Sequence, residues 1–169
     1  DERLRQNDAE VYARLICDLV AERKPEAILY GATAFGRELA PGVAVRLQTG
    51  LTADCTVLSM DTETGLLQQT RPAFGGTLMA TIVCPNHRPQ MATVRPGVMQ
   101  KLPKDPSHKA IVEEYNPGFE ENSNYVEILE IVKAVSDVVD IMDAKILVSG
   151  GRGVGSPENF AILQDLADV

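Results

Sequence analysis

The sequence predicts an α/β fold in which an open, mostly parallel sheet is flanked by helices and accompanied by antiparallel strands. Two observations lead to this prediction. Short apolar runs at residues 27–30 and 145–148, typical of buried parallel strands, are each followed by a helical pattern. Three further strand-like runs, at residues 66–71, 78–84 and 90–95, are separated by proline and glycine turns, the spacing of antiparallel hairpins.

The first quarter of the chain reads as a helix followed by a strand–loop–helix unit. Two adjacent apolar rows predict a helix over residues 9–24. Residues 27–30 form the strand, residues 31–36 form a loop at its carboxyl end, and apolar residues at helical spacing mark the second helix. Loops on that side of an open α/β sheet usually bind ligands. The next strand is predicted over residues 53–60.

Further strands are predicted at residues 110–115 and 125–135, and residues 137–144 are interpreted as a linker. A domain boundary is therefore placed between a first domain, residues 1–142, and the beginning of a second, residues 143–169. Parallel strands need neighbours to bury both of their faces. We therefore expect the second domain to be truncated. Because the chain opens on Asp1 and not on Met, we also expect the first domain to be incomplete at its N-terminus.

A glycine loop, Ser-Gly-Gly-Arg-Gly at residues 149–153, follows the last apolar run. Ser156 and Pro157 then signal the start of a helix. In this arrangement backbone N–H groups and a helix N-terminus face an anion, and Arg152 places a planar charged fork beside them. The alternative is a tight turn in which the glycines only relieve steric strain.

Acidic residues are absent between positions 64 and 104, where the chain carries five positive charges, while the remainder holds 11 basic and 24 acidic residues. Each of the three arginines in this segment precedes a proline, which holds the turn rigid: Arg71, Arg88 and Arg95. The asymmetry favours a surface that faces an anionic ligand or an acidic partner. The alternative is a set of strands whose outward positions happen to be Thr, Gln and Arg.

The composition excludes several classes of protein. A net charge of −8 argues against general nucleic-acid binding, and no apolar run is long enough to span a membrane. Cys17, Cys55 and Cys84 are widely spaced and form neither a metal-ligand pattern nor a disulfide framework. We therefore expect thiols in a reducing cytoplasm. With two histidines in the chain, a histidine-rich metal site is excluded.

Several motifs, in order along almost the whole chain, resemble the electron transfer flavoprotein alpha subunit. Residues 29–41, Leu-Tyr-Gly-Ala-Thr-Ala-Phe-Gly-Arg-Glu-Leu-Ala-Pro, and residues 49–56, Thr-Gly-Leu-Thr-Ala-Asp-Cys-Thr, resemble its N-terminal domain. The glycine loop, with Glu-Asn-Phe at residues 158–160, resembles the entry into its flavin-binding domain. Residues 70–76 and 88–99 resemble the anaerobe-type, electron-bifurcating branch of the family.

The resemblance implies an FAD-containing electron carrier that moves electrons from acyl-CoA or other dehydrogenases to an acceptor, and is not itself an enzyme. The implied assembly is a heterodimer with a beta subunit, on which the first domain packs. That domain would have an adenine-nucleotide-hydrolase-like fold. The chain lacks most of the flavin domain, so we expect it to bind FAD weakly or not at all by itself.

The resemblance also assigns site residues. Arg152 takes the role of the loop arginine that contacts FAD, with Gly151 and Gly153 beside it. The arginines at 71, 88 and 95 are expected to face the beta subunit or its bound cofactor. No residue is assigned a catalytic or metal-binding role.

Two other functions were weighed against an electron carrier. A nucleotide-binding module would use residues 31–36 to cradle phosphates, yet this loop has no lysine and offers only Thr33 and Arg37 nearby. A cysteine enzyme would need a histidine and an acid beside its thiol, and the sequence suggests none.

Overall fold

A computed structural model of the chain describes residues 2–5, 7–119, 128–132, 141 and 144–169. The chain divides into two compact units, Asp1–Glu127 and Ile128–Val169. The domain boundary expected between residues 142 and 143 stays a prediction. The helices and strands, in chain order, are α1 (Ala9–Arg23), β1 (Ala27–Gly31), α2 (Ala34–Leu47), β2 (Leu51–Cys55), β3 (Val57–Met60), β4 (Leu67–Ala73), β5 (Leu78–Ile82), β6 (Gln90–Val94) and α3 (Ala161–Ala167).

The first unit contains a parallel sheet of three strands in the order β1–β6–β2. The helices α1 and α2 supply the apolar side chains that pack with this sheet. Met91, in the central strand, is fully buried among Ala13 of α1 and Leu39, Val43 and Ala44 of α2. The predicted α/β fold with a parallel sheet and flanking helices is therefore confirmed.

Both helices of the first unit begin at a side-chain cap. The Asp8 carboxylate accepts hydrogen bonds from the backbone N–H groups of Glu10 and Val11, and α1 ends where Lys24 adopts a left-handed conformation. The helix predicted over residues 9–24 is thus confirmed. The Thr33 hydroxyl accepts from the Gly36 N–H, and this cap makes α2 begin at Ala34, inside the segment predicted to be a loop.

Gly36 brings the first turn of α2 against the end of β1. A Cβ atom added at Gly36 would overlap the carbonyl oxygen of Gly31 and lie 3.2 Å from its carbonyl carbon. Any side chain at this position would push the helix away from the strand. The glycine therefore serves helix–strand packing, which weakens the idea that residues 31–36 cradle phosphates.

The second sheet of this unit is antiparallel, with the strands in the order β3–β4–β5. The pairing of β4 with β5 confirms a hairpin where the sequence predicted one. The third predicted member of these hairpins, β6, lies instead in the centre of the parallel sheet. Its first four residues are buried, as both faces of a central parallel strand must be, and this burial explains the difference.

The single strand predicted over residues 53–60 is wrong, because the segment forms two strands in different sheets. Strand β2 ends at Cys55 and β3 begins at Val57. The register of β2 shifts between Thr52 and Cys55, and Asp54 adopts a positive φ of 62°. This bulge redirects the chain from the parallel sheet to the antiparallel one.

Other predicted strands are absent or lie outside the described residues. Residues 110–115 form no strand, and Ile111 and Val112 are 90% and 87% exposed, without neighbours to bury them. Within the strand predicted at 125–135, residues 128–132 are irregular, and the remainder is not described. Most of the predicted linker at 137–144 also falls outside the described residues.

In the second unit, the apolar run at residues 145–148 is not a strand, because no described segment pairs with it. Pro157 opens a 3₁₀ turn, Pro157–Phe160, that continues into α3. Ser156 precedes this turn but makes no side-chain cap to the backbone. Among the described residues of both units, no helix combines the length and apolar character needed to cross a membrane.

Candidate functional site

The glycines of the loop at residues 149–153 differ in what surrounds them. A Cβ at Gly150 would overlap Leu163 and lie 2.9 Å from Val154 and 3.3 Å from Phe160, so this glycine permits close packing inside the second unit. No atom of the described residues lies within 4 Å of a Cβ at Gly151 or Gly153. Those two positions border open space, and a ligand can approach their backbone closely.

Arg152 lies between the two open glycines and is exposed. Its backbone carbonyl accepts a hydrogen bond from the Gly155 N–H at 3.2 Å. Within the described part of the chain, its guanidinium makes no hydrogen bond or ion pair, and neither Glu158 nor Asp165 contacts it. The alternative that Arg152 braces the turn through one of these carboxylates is therefore not supported.

The loop is instead braced by a residue that the sequence reasoning missed. The Asn159 side chain donates a hydrogen bond of 2.8 Å to the carbonyl oxygen of Val154, which ties the loop to the 3₁₀ turn. Together with Ile162 and Leu163, these residues and Gly153 line a cavity of about 350 Å³. Gly151 and Gly153 border open space, and the Arg152 guanidinium makes no hydrogen bond or ion pair with the described residues. The loop is therefore suited to bind an anionic group such as a phosphate of FAD.

The three arginines of the acid-free segment do not form one cluster. Arg88 lies at the amino edge of the parallel sheet, before β6. Its Nε donates to Glu26 at 2.7 Å, and one of its Nη atoms donates to the carbonyl oxygens of Cys84 and His87. Through these contacts Arg88 fixes the loop before β6 to Glu26, the residue that precedes β1.

Arg95 lies at the opposite, carboxyl edge of the sheet and is paired with Asp54. Its Nε and Nη2 atoms donate to the two carboxylate oxygens at 3.1 and 2.6 Å, a bidentate pair. Arg37, in the first turn of α2, donates to the same carboxylate at 3.4 Å and to the Ala32 carbonyl at 2.9 Å. One carboxylate therefore holds two guanidinium groups at this edge.

A third arginine, Arg71, follows Thr70, whose carbonyl oxygen accepts a hydrogen bond at 2.9 Å from the N–H of Thr56, two residues after Asp54. The hydrogen-bonded Arg95 guanidinium lowers the pKa of Asp54 below its ordinary value, and the charges of Arg37 and Arg71 act in the same direction. Arg71 projects from β4 and is partly buried. The Asp54 N–H donates to the Thr93 hydroxyl at 2.8 Å, which fixes the bulge that aims the carboxylate.

Sequence reasoning named Arg71 and Arg95 but did not associate Arg37 or Asp54 with them. In the sequence, Asp54 stands out only as part of the motif at residues 49–56, and Arg37 only as a residue near the loop at 31–36. Their positions in the chain could have linked them, because Asp54 lies at the end of a parallel strand and Arg37 lies in the helix that follows another parallel strand. No cluster of three or more His, Cys, Asp or Glu side chains suited to a metal ion occurs in the described segments.

Residues 1–119 match the family described as the electron transfer flavoprotein domain. Protein FixB of Clostridium saccharobutylicum is 54% identical over 98% of this chain, and the electron transfer flavoprotein subunit alpha of Thermoanaerobacterium thermosaccharolyticum is 55% identical over 95%. The acryloyl-CoA reductase electron transfer subunit beta of Anaerotignum propionicum is 40% identical over 95%.

The chain spans about half the length of these relatives: 49%, 48% and 51% of them, respectively. The resemblance drawn from the sequence motifs is confirmed, and it is favoured over a separate nucleotide-binding module. This chain belongs to the electron transfer flavoprotein family.

Proposed function

We propose that this chain is part of an electron transfer flavoprotein alpha subunit, and that the complete protein carries electrons on FAD between dehydrogenases and an acceptor. The observation that carries the proposal is identity of 55% to a subunit of that name across 95% of the chain, which includes both compact units. An electron carrier needs no catalytic side chain of its own, and we assign none. The expected cytoplasmic location stays a prediction.

The proposed contacts to FAD come from the loop in the second unit. FAD, when bound, supplies the redox chemistry. The Arg152 guanidinium would donate hydrogen bonds to an anionic group of the cofactor, while Gly151 and Gly153 would let that group approach the backbone. The open space at the two glycines supports this assignment. The remaining contacts would come from residues of the complete protein, so the chain alone is expected to retain little FAD.

The proposed partner of the first unit is a beta subunit. The β4–β5 hairpin presents a surface suited to association, because Phe74, Leu78 and Met79 are each more than half exposed. Arg71, Arg88 and Arg95 are proposed to face this partner or its bound cofactor.

The donor enzyme is proposed to be an acyl-CoA dehydrogenase or a related enzyme. The Anaerotignum relative, named as an electron transfer subunit of acryloyl-CoA reductase, supports a redox partner that acts on a CoA thioester, and a reductase is a partner on the acceptor side. Electron bifurcation is a further proposal. It rests on the resemblance of residues 70–76 and 88–99 to the bifurcating branch.

The function is tested with the complete alpha subunit co-expressed with its beta partner. We expect a heterodimer that purifies with FAD, is reduced when an acyl-CoA dehydrogenase and its substrate are added, and is reoxidised by an acceptor. A folded heterodimer that purifies without flavin, and takes none up from added FAD, would contradict the proposal.

The arginine proposal has a separate test in the same heterodimer. Replacing Arg71, Arg88 and Arg95 together by glutamine should weaken subunit association or cofactor retention and leave the helix content unchanged. Unchanged association with full electron transfer would return these arginines to an ordinary surface role. For bifurcation, the measurement is whether oxidation of one donor reduces a low-potential and a high-potential acceptor in equal amounts.

A further inference from the structure

The carboxyl edge of the parallel sheet carries a concentration of positive charge that electron transfer does not explain. Arg37 and Arg95 donate hydrogen bonds to the carboxylate of Asp54. Arg71 follows Thr70, whose carbonyl oxygen accepts a hydrogen bond from the N–H of Thr56, two residues after Asp54. The group therefore holds three positive charges against one negative charge, an excess of two. An excess of this size at the carboxyl ends of parallel strands attracts anions to the place where open α/β sheets bind their ligands.

Arg71 is the member of this group that lacks a partner. Its Nε atom is buried and makes no hydrogen bond, and no ion pair or hydrogen bond of its guanidinium exists with any part of the chain that the structure describes. A buried donor without an acceptor costs free energy, and the cost is greater when the group is charged. An anion seated here would remove that cost.

A second unsatisfied polar atom occurs in the neighbouring residues. The Thr56 N–H donates to the carbonyl oxygen of Thr70, the residue before Arg71, at 2.9 Å. The Thr56 hydroxyl is itself buried and has no hydrogen-bond partner among the described residues. A hydroxyl can also donate to an anion, so Thr56 and Arg71 both present donors for which the described structure supplies no acceptor.

The other two arginines are held in place but keep free donors. Arg95 donates to Asp54 through Nε and Nη2. Arg37 donates to the Ala32 carbonyl through Nε and to Asp54 through Nη2. The Nη1 group of each arginine makes no hydrogen bond to the described residues. The N-terminus of α2, which starts at Ala34, lies at this same edge and adds the positive end of the helix dipole.

We propose that Arg37, Arg71 and Arg95 form a binding site for a phosphate group, with Asp54 positioning two of the three guanidinium groups. A phosphate dianion matches the excess of two positive charges, and its oxygens suit several planar guanidinium forks at once. Side chains form this site. The glycine loop at 31–36 does not contribute to it, because Gly36 packs α2 against the end of β1. The phosphate can be inorganic or the terminal group of a nucleoside monophosphate.

The site is tested by calorimetric titration of the complete heterodimer, at low ionic strength, with inorganic phosphate and separately with AMP. We expect saturable binding of phosphate, weakened at least tenfold in Arg71→Gln and in Arg37→Gln. Arg37→Gln guards against a folding defect, because the Arg37 side chain is 59% exposed. Arg23→Gln is the matched control, since it removes the same charge from an exposed position on α1, outside the proposed site.

The two probes distinguish the source of the phosphate. Equal affinities for inorganic phosphate and AMP assign the site to the phosphate group alone, whereas tighter binding of AMP that is lost in Arg71→Gln assigns it to a nucleotide. Absence of binding by both probes would overturn the proposal. So would an equal loss of binding in Arg23→Gln, which would indicate a general charge effect. Neither readout depends on flavin reduction, so failure here leaves the electron-carrier proposal standing.

Discussion

A Cβ atom at Gly36 would overlap the carbonyl oxygen of Gly31, so the first turn of α2 touches the end of β1 with no room for a side chain. The obstacle is backbone, which cannot move aside as a flexible side chain can. The distance between this helix and the sheet is therefore set by the absence of one methyl group.

Gly36→Ala should destabilise the first unit by about 1–3 kcal/mol, the usual cost of forcing an extra group into a packed site. The measurement is the free energy of unfolding in urea. Gly31→Ala is the matched control, because its Cβ would lie at an ordinary 3.7 Å from the Thr33 methyl group. Equal losses in the two variants would show that close approach at Gly36 is not the cause.

Gln90 connects the two sheets of the first unit. Its buried side chain accepts a hydrogen bond from the Leu67 N–H at 2.8 Å and donates one to the Gly65 carbonyl at 3.2 Å. Gln90→Leu leaves a buried N–H group unpaired, and we expect a loss of about 1–3 kcal/mol in unfolding free energy. Gln68→Leu serves as the control, since among the described residues the Gln68 side chain accepts a hydrogen bond only from the exposed Ser59 hydroxyl. The interpretation fails if both variants unfold alike.

Asp54 should make the free energy of unfolding depend on pH in the acidic range. Because its folded-state pKa lies below that of the unfolded chain, the carboxylate stabilises the fold above about pH 4 and loses this effect as the pH falls through the lowered value. Asp54→Asn, which tolerates the positive φ, should lower the melting temperature at pH 7 by roughly 2–4 °C. The difference from the unchanged protein should shrink towards pH 3.

The control for this prediction is Asp18→Asn. Asp18 is exposed on α1 and has no hydrogen bond or ion pair with the described residues. We expect its melting curves to follow those of the unchanged protein at both pH values. A difference for Asp54→Asn that persists undiminished at pH 3 would assign the effect to the bulge and not to the charge.

Arg152 should set the potential of the flavin if its guanidinium faces the cofactor. In the complete heterodimer, Arg152→Ala should lower the FAD reduction potential by tens of millivolts, and Arg152→Lys by less, because lysine keeps the charge but not the planar fork. FAD affinity should fall in the same order. Redox titration beside a melting curve provides the measurement, and a lowered melting temperature with an unshifted potential would indicate a structural role only.

The helices were predictable because their signals are local. Asp8 caps α1 through the two N–H groups nearest to it, and the apolar rows that follow are visible in sequence. Strand pairing was not predictable in the same way. An apolar run such as residues 90–94 looks the same in a hairpin and in the centre of a parallel sheet, and only its burial on both faces decides between them.

The arginine site could be predicted only in part for the same reason. Arg95 follows β6, Arg37 follows β1 and Asp54 is the last residue but one of β2. These three residues meet because β6 lies between the other two strands. A sequence interpretation that places residues 90–95 in a hairpin separates them. The glycine loop was different, because all of its residues are neighbours in sequence and its open side needed no long-range pairing.

The central place of β6 also has a consequence for biosynthesis. Among the described residues, neither β1 nor β2 has a partner in the parallel sheet other than β6, so these two strands cannot be joined until residues 90–94 have left the ribosome. The β3–β5 hairpins can pair earlier, since their contacts are local. Nascent chains shorter than this should therefore carry an unprotected apolar helix pair, a natural client for chaperones that act during translation.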